Sequence, residues 1–255
     1  MWSRFLFLLP LLAACASGPG GSVASSYGAA STVSAYSYDV RGGSASANRA
    51  FSPAPENAAA RELGLPVEAR ACYDQLWHLG VTFELVHDAA AGVRMPILLR
   101  SPVGGIEVHP ANDHRTHAVI DCRLALRIFQ WSAALRGMGV RGIEHYSVYR
   151  PGARVAGSGK RSGHASALAI DLARLELDNG AVVDVLADWE DRARGESPCP
   201  VRADEGSASR LLREAVCSAV DQGLFQVVLT PHHDRAHQNH VHLELRPGTS
   251  WTYVR

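Results

Sequence analysis

No charge of one sign dominates this chain. Over 255 residues Lys+Arg and Asp+Glu both number 25, so the formal net charge is zero. No basic run or stripe interrupts that balance, which argues against a dedicated nucleic-acid surface. Long apolar runs are lacking at the N-terminus, where the apolar stretch covers only Phe5 to Leu12. As a helix it would span roughly 12 Å against a hydrocarbon core of about 30 Å, too short for a stable transmembrane segment. Cysteine is scarce, with five residues in all, and none falls in a C-x-x-C pair. No internal repeat is visible.

What is present starts with the N-terminus. Met1-Trp2-Ser3-Arg4 places one positive charge ahead of the short apolar run, the pattern of an export signal. Leu12-Ala13-Ala14-Cys15 resembles the lipobox of bacterial lipoproteins, in which the cysteine is lipidated and becomes the new N-terminus. The other reading is an ordinary signal cleaved after a small residue, with Cys15 incidental. Residues 1–15 are therefore expected to be a lipoprotein signal, and the mature protein a periplasmic, lipid-anchored component of the cell envelope. Ala16 in place of Asp points by analogy to the outer membrane. Residues 16–56 are rich in Ser, Gly and Ala without apolar periodicity. Such a segment cannot bury enough surface to offset its chain entropy, so a flexible tether is expected, with a reach of roughly 35 Å. With Cys15 set aside, Cys72, Cys122, Cys199 and Cys217 remain. An even number in an exported chain suits two disulfides, zinc ligation being the alternative. Three pairings are open, and Cys199 with Cys217 closes the shorter loop.

The folded domain is expected over residues 57–255, long enough for one sizeable core. Ala58 to Leu63 and Glu68 to Leu79 read as helices, and Val81 to Val86, Ile97 to Leu99 and Gly105 to Val108 as strands. Leu124, Ile128, Trp131 and Leu135 recur at helical spacing, which predicts a helix over Cys122 to Arg136 stopped by Gly137 and Gly139. Ile143 to Tyr149 reads as a strand. Asn179-Gly180 tolerates the positive φ of a tight turn, so Ile170–Leu177 and Ala181–Leu186 form a hairpin. Ser209 to Gln222 is an amphipathic helix, followed by strands Phe225–Leu229 and His240–Leu245. The mixed order predicts an α+β domain with a mainly antiparallel sheet and flanking helices.

Of twelve histidines, five fall between Pro231 and His242. His240 and His242 share one face of a strand while Val241 and Leu243 share the other, because side chains alternate. A solvating polar face would look the same. The second element runs from Ser162-Gly163-His164 to Ile170-Asp171. Fully extended, His164 and Asp171 would lie roughly 23 Å apart. Both reach one ion only if the chain folds back near Ser166-Ala167. An aspartate between Ile170 and Leu172 in a buried strand is costly unless something positive compensates it, and a metal would.

Ser162-x-His164 with Ala169-x-Asp171, followed by His240-x-His242, resembles the S-x-H-x-x-G-x-A-x-D and H-x-H motifs of certain zinc peptidases. That group includes lysostaphin, D-Ala-D-Ala carboxypeptidases and hedgehog. Within it the extensin-like C-terminal domain of bacteria is the closer likeness, over about Cys72 to Tyr253, including Ser147 and Tyr149-Arg150. His237-x-x-His240-x-His242 is also similar in spacing to penicillin-insensitive murein endopeptidases. The resemblance implies a hedgehog/D-Ala-D-Ala-peptidase-like zinc fold, with one zinc per chain on His164, Asp171 and His242. It implies catalytic roles for His240 and His237, and substrate binding by Arg150 and Ser162. The implied activity is hydrolysis of peptidoglycan peptides by a monomeric zinc metallopeptidase. The alternatives are a module that keeps the zinc site but only binds cell-wall peptide or a partner protein, and metal sequestration by the histidine cluster. The pattern's glycine is Ala167 here, so the turn must either change type or carry strain. Trp189-Glu190 reads equally as cleft lining or as core.

Overall fold

A computed structural model describes residues 66–86, 90–100, 102–112, 118–193 and 195–255. The signal, Cys15, the tether and the helix expected at Ala58–Leu63 lie outside the described residues. No described helix is long and apolar enough to cross a membrane.

Helix α1, Val67–His78, buries Ala69, Cys72, Tyr73 and Leu76, the i, i+3, i+4, i+7 face. Helix α2, Cys122–Gly137, is capped by Asp121, whose carboxylate accepts the Arg123 N–H at 3.0 Å. Its buried face carries Leu124, Ala125, Ile128, Trp131 and Leu135, which pack on α1 and on strand β5, Val140–His145. Trp131 Nε1 donates to the Ala215 carbonyl at 3.0 Å, which fastens α2 to the long helix Ser207–Asp221. Cys72 pairs with Cys122 and Cys199 with Cys217, with Cα separations of 6.2 and 5.9 Å. The shorter loop is closed as the spacing suggested.

Two sheets share this core. The small one is antiparallel, in the order β1 (Phe83–Leu85), β2 (Pro96–Leu99), β4 (Val119–Asp121). The large one has seven strands. Its path is β10 (Tyr253–Val254), β8 (Val227–Leu229), β9 (Val241–Glu244), β6 (Ala169–Leu177), β5, β3 (Glu107–Pro110), and β7 (Val182–Asp184) also pairs with β6. The pairings are mainly antiparallel, as expected, but the large sheet is mixed, because its outer pairs β3–β5 and β10–β8 are parallel. The chain leaves β3, passes through β4 and α2, and re-enters the sheet at β5 in the same direction, as a crossover connection allows.

Several boundaries also differ from the sequence pattern; β9 begins at Val241, so His240 precedes the strand expected to carry it. The strand expected over Ile143–Tyr149 begins at Val140 and ends at His145, where its register on β6 slips. The strand expected over Gly105–Val108 spans Glu107–Pro110. The second hairpin strand stops at Asp184, whose carboxylate accepts the N–H groups of Leu186 and Ala187 and starts the one-turn helix α3, Val185–Asp188. The helix Ser207–Asp221 is α4. The hairpin turn itself is as read, with Gly180 at φ +83°.

Candidate metal centre

Asp171 and His242 stand directly opposite each other on the antiparallel pair β6–β9. Strand alternation turns Ile170, Leu172, Val241 and Leu243 into the apolar core and leaves Asp171 and His242 on the other face. His164 arrives from a one-turn 3-10 helix, Gly163–Ser166, capped by Ser162, whose Oγ accepts the His164 N–H at 3.4 Å. The chain then reverses at Ala167, which adopts φ +53°, ψ +32°. This is the only non-glycine positive φ among the described residues. Of the two outcomes open for this turn, the strained one is observed: the left-handed geometry is kept and alanine bears it. Leu168 N–H closes the reversal on the Gly163 carbonyl at 3.0 Å, and the Asp121 N–H binds the Ala167 carbonyl at 3.1 Å.

The three side chains meet. His164 Nε2 lies 3.0 Å from Asp171 Oδ1 and 3.1 Å from His242 Nδ1, and those two are 3.0 Å apart. Tetrahedral zinc with bonds of about 2.0–2.1 Å places its ligand atoms about 3.3–3.4 Å apart, so the triangle is nearly one face of that tetrahedron. The outer partners decide what the inner atoms carry. His164 Nδ1 donates to the Val148 carbonyl at 2.9 Å, and His242 Nε2 to Glu244 Oε2 at 3.1 Å. In neutral rings both inner nitrogens are then lone pairs, facing a carboxylate oxygen. Three acceptors at this separation repel unless something positive sits among them. Without metal that role falls to a proton on His242. Burial disfavours its charge, but hydrogen bonds to Asp171 and Glu244 outweigh this and hold it up at about 9. Burial likewise opposes the Asp171 charge, yet the two imidazoles keep this carboxyl well below the usual range. A divalent cation satisfies the same demand, so the residues fit the metal that their pattern implied. His164, Asp171 and His242 are also one of two described clusters able to hold an ion.

A family model described as extensin-like protein C-terminus matches residues 70–255. The chain belongs to that family. No curated protein and no solved structure matches it.

In this extensin-like domain Asp171 and His242 line an open cleft of about 650 Å³, while His164, the third member of the cage, is fully buried. His240 sits at the lip, with Nε2 3.4 Å from Asp171 Oδ1 and Nδ1 2.9 Å from Asn239 Oδ1. Burial pushes its pKa down to about 4; Asp171 opposes this, while His237, His242 and His164 add to it. His240 is therefore neutral near pH 7. His237 bonds Asp234 Oδ1 at 2.7 Å, and its ring lies 5.2 Å from that of His240. Arg150 lines the wall, its guanidinium 3.9 Å from Asp171 Oδ2 and its side chain half exposed. Ser162 also borders the cleft, although its hydroxyl is engaged as the cap of the His164 turn.

Several contributors escaped the sequence pattern. Glu244 continues the alternation of His240 and His242 by one more step, which was the available signal. Ser147 was part of the matched pattern but had no role there; its Oγ donates to Asp171 Oδ2 at 2.8 Å. Arg154, Arg246, Trp251 and Tyr253 join the walls from distant segments, and nothing in their local sequence marks them. Trp189 resolves as core: it is buried beneath the Arg213 guanidinium, 4.4 Å from its ring.

Proposed function

We propose that this extensin-like protein is a zinc-dependent peptidase of peptidoglycan, a murein endopeptidase or carboxypeptidase, held in the cell envelope through a lipid on Cys15. The observation that carries this reading is the convergence of three lone pairs, from His164, Asp171 and His242, beside an open cleft that Asp171 and His242 line. Two imidazoles and one carboxylate are a catalytic rather than a structural donor set, since they leave a tetrahedral ion one position for water or substrate. The same order of ligands supports placing the fold with the hedgehog and D-Ala-D-Ala-peptidase group.

Zinc supplies Lewis acidity, which polarises a peptide carbonyl and makes water a competent nucleophile near neutral pH. The protein's own groups do the rest. His240 donates its Nδ1 proton to Asn239, so Nε2 carries the lone pair and takes the proton released as water attacks. It then returns that proton to the departing amine. His237, held by Asp234, stands beside His240 and fixes the local field. Arg150 grips a substrate carboxylate or carbonyl with its planar fork. Ser162 acts on geometry, by setting the turn that presents His164.

The test is mass spectrometry of purified muropeptides after incubation with zinc-loaded protein, with His240→Ala as control. New fragments that depend on His240 support the proposal. Tight zinc binding with every muropeptide intact would replace the peptidase by a cell-wall binding module.

A further inference from the structure

We infer that His233, Asp234 and His237 form a second cation site at the mouth of the cleft, which takes zinc or a similar borderline divalent ion more weakly than the cage. The three residues offer ligand atoms that all lie within 4.8 Å of one another. Both oxygens of Asp234 face imidazole nitrogens: Oδ1 lies 2.7 Å from His237 Nδ1, and Oδ2 lies 3.5 Å from His233 Nε2. Two nitrogens and a carboxylate suit zinc, copper or nickel better than magnesium or calcium.

The local chain builds this arrangement. Asp234 caps the 3-10 turn Arg235–His237 by accepting the Ala236 N–H at 2.9 Å, which brings His237 back over it. His233 N–H is tied to the Thr230 carbonyl, and its ring meets the Tyr253 ring edge-on at 6.4 Å. His232, next in sequence, turns away, accepting the Arg192 N–H at 3.2 Å beside Trp189. The neighbours are therefore sorted into different environments, not spread as a loose chelating run. A plain cap would account for the Asp234–His237 bond alone. It leaves unexplained why the His233 nitrogen faces the second carboxylate oxygen.

The site differs from the cage in ways that set its affinity. Asp234 is half exposed, and among the described residues no second carboxylate pairs with either ring. Each missing outer partner costs about 10- to 100-fold in metal affinity, so binding at least about 100-fold weaker than the cage is expected. Its position gives it a consequence. The His237 ring lies 5.2 Å from His240 and 6.0 Å from His242. A cation here removes His237 from His240 and places positive charge at the cleft mouth. Excess zinc should then inhibit, a corollary that rests on the peptidase reading.

The experiment is calorimetric titration of the chelator-stripped full chain with zinc alone. One tight event per chain should be followed by one weaker event per chain. His233→Ala and Asp234→Asn should each abolish the weak event and keep the tight one, and His164→Ala should do the reverse. A single event up to millimolar zinc overturns the inference. So does a weak event that survives both His233→Ala and Asp234→Asn. In a muropeptide digestion, excess zinc should slow the wild type at least tenfold more than His233→Ala. If no muropeptide is cut, the peptidase reading fails while calorimetry still decides the second site.

Discussion

Glu244→Gln isolates the outer partner of the cage while keeping its size. In the wild type one carboxylate oxygen accepts from His242 Nε2 at 3.1 Å and the other from Arg246 Nε at 2.7 Å. Both neighbours donate, and a carboxylate can receive both. A glutamine has one oxygen and one NH₂, so one neighbour must face a donor. Arg246 is always charged and holds the oxygen more strongly, which leaves the NH₂ against His242. The imidazole then relocates its proton to Nδ1, into the position a metal ligand must keep open. Loss of such an outer partner costs about 10- to 100-fold in metal affinity, or about 1.4–2.7 kcal/mol. The assay is competition for zinc against a chromophoric chelator at pH 7, with the melting temperature in chelator as the check on folding. Gly163→Ala is an independent route to the same outcome, because its Cβ would lie 2.6 Å from Glu244 Cγ and displace the carboxylate. His232→Ala is the control and should bind zinc normally. A Glu244→Gln variant that folds and binds zinc within about twofold of the wild type, less than ~0.4 kcal/mol, would refute the tautomer argument.

Four further outcomes are expected. In chelator, the raised His242 pKa contributes stability in full below pH 6.5, lost as pH rises through about 9. Zinc must displace that proton, so zinc affinity should climb by up to about tenfold per pH unit from 7 toward 9, read from titrations at several pH values. His240→Ala should retain zinc yet lose about 10²- to 10⁴-fold in kcat, whereas Arg150→Ala should raise KM or lower both constants by about 10- to 100-fold without touching the metal, both read from steady-state kinetics. Ala167→Gly relieves about 1–2 kcal/mol of left-handed strain but forfeits about 0.8 for the buried methyl and about 0.4–1 through the freer unfolded chain. Its melting temperature should therefore move little and zinc affinity stay equal or rise, while a fall in affinity would remove Ala167 from the ligand argument. Cys15→Ser should release the mature protein from membranes into the soluble fraction, since stable anchoring needs the several acyl chains that lipoprotein processing adds. Unchanged membrane retention would refute that assignment.

Two of the candidate ligands, Asp171 and His242, stood out because their chemistry contradicts their surroundings, whereas His164 and the set as a whole came from the family resemblance. An aspartate between Ile170 and Leu172, or two histidines alternating with Val241 and Leu243, stands out against apolar neighbours that declare the strand's core face. Helix α2 was legible for the matching reason, since four large apolar residues at helical spacing leave little choice of face. Strands β4 and β10 were not: they have three and two residues, and unlike the equally short β1, β7 and β8 they do not sit inside a longer stretch that reads as a strand. The parallel edges of the large sheet were hidden likewise, because strand direction comes from how the chain returns after α2 and not from the residues of β3 or β5. The turn at Ala167 was legible as a requirement of reach, but its conformation was not, since composition disfavours the φ it adopts. That residue shows where local preference yields. The Leu168–Gly163 and Asp121–Ala167 backbone bonds hold the reversal from both sides, and together outweigh about 1–2 kcal/mol of strain. Such strain persists only where the surroundings over-determine the geometry, and here the over-determined geometry is the one that brings His164 within 3.0 Å of Asp171.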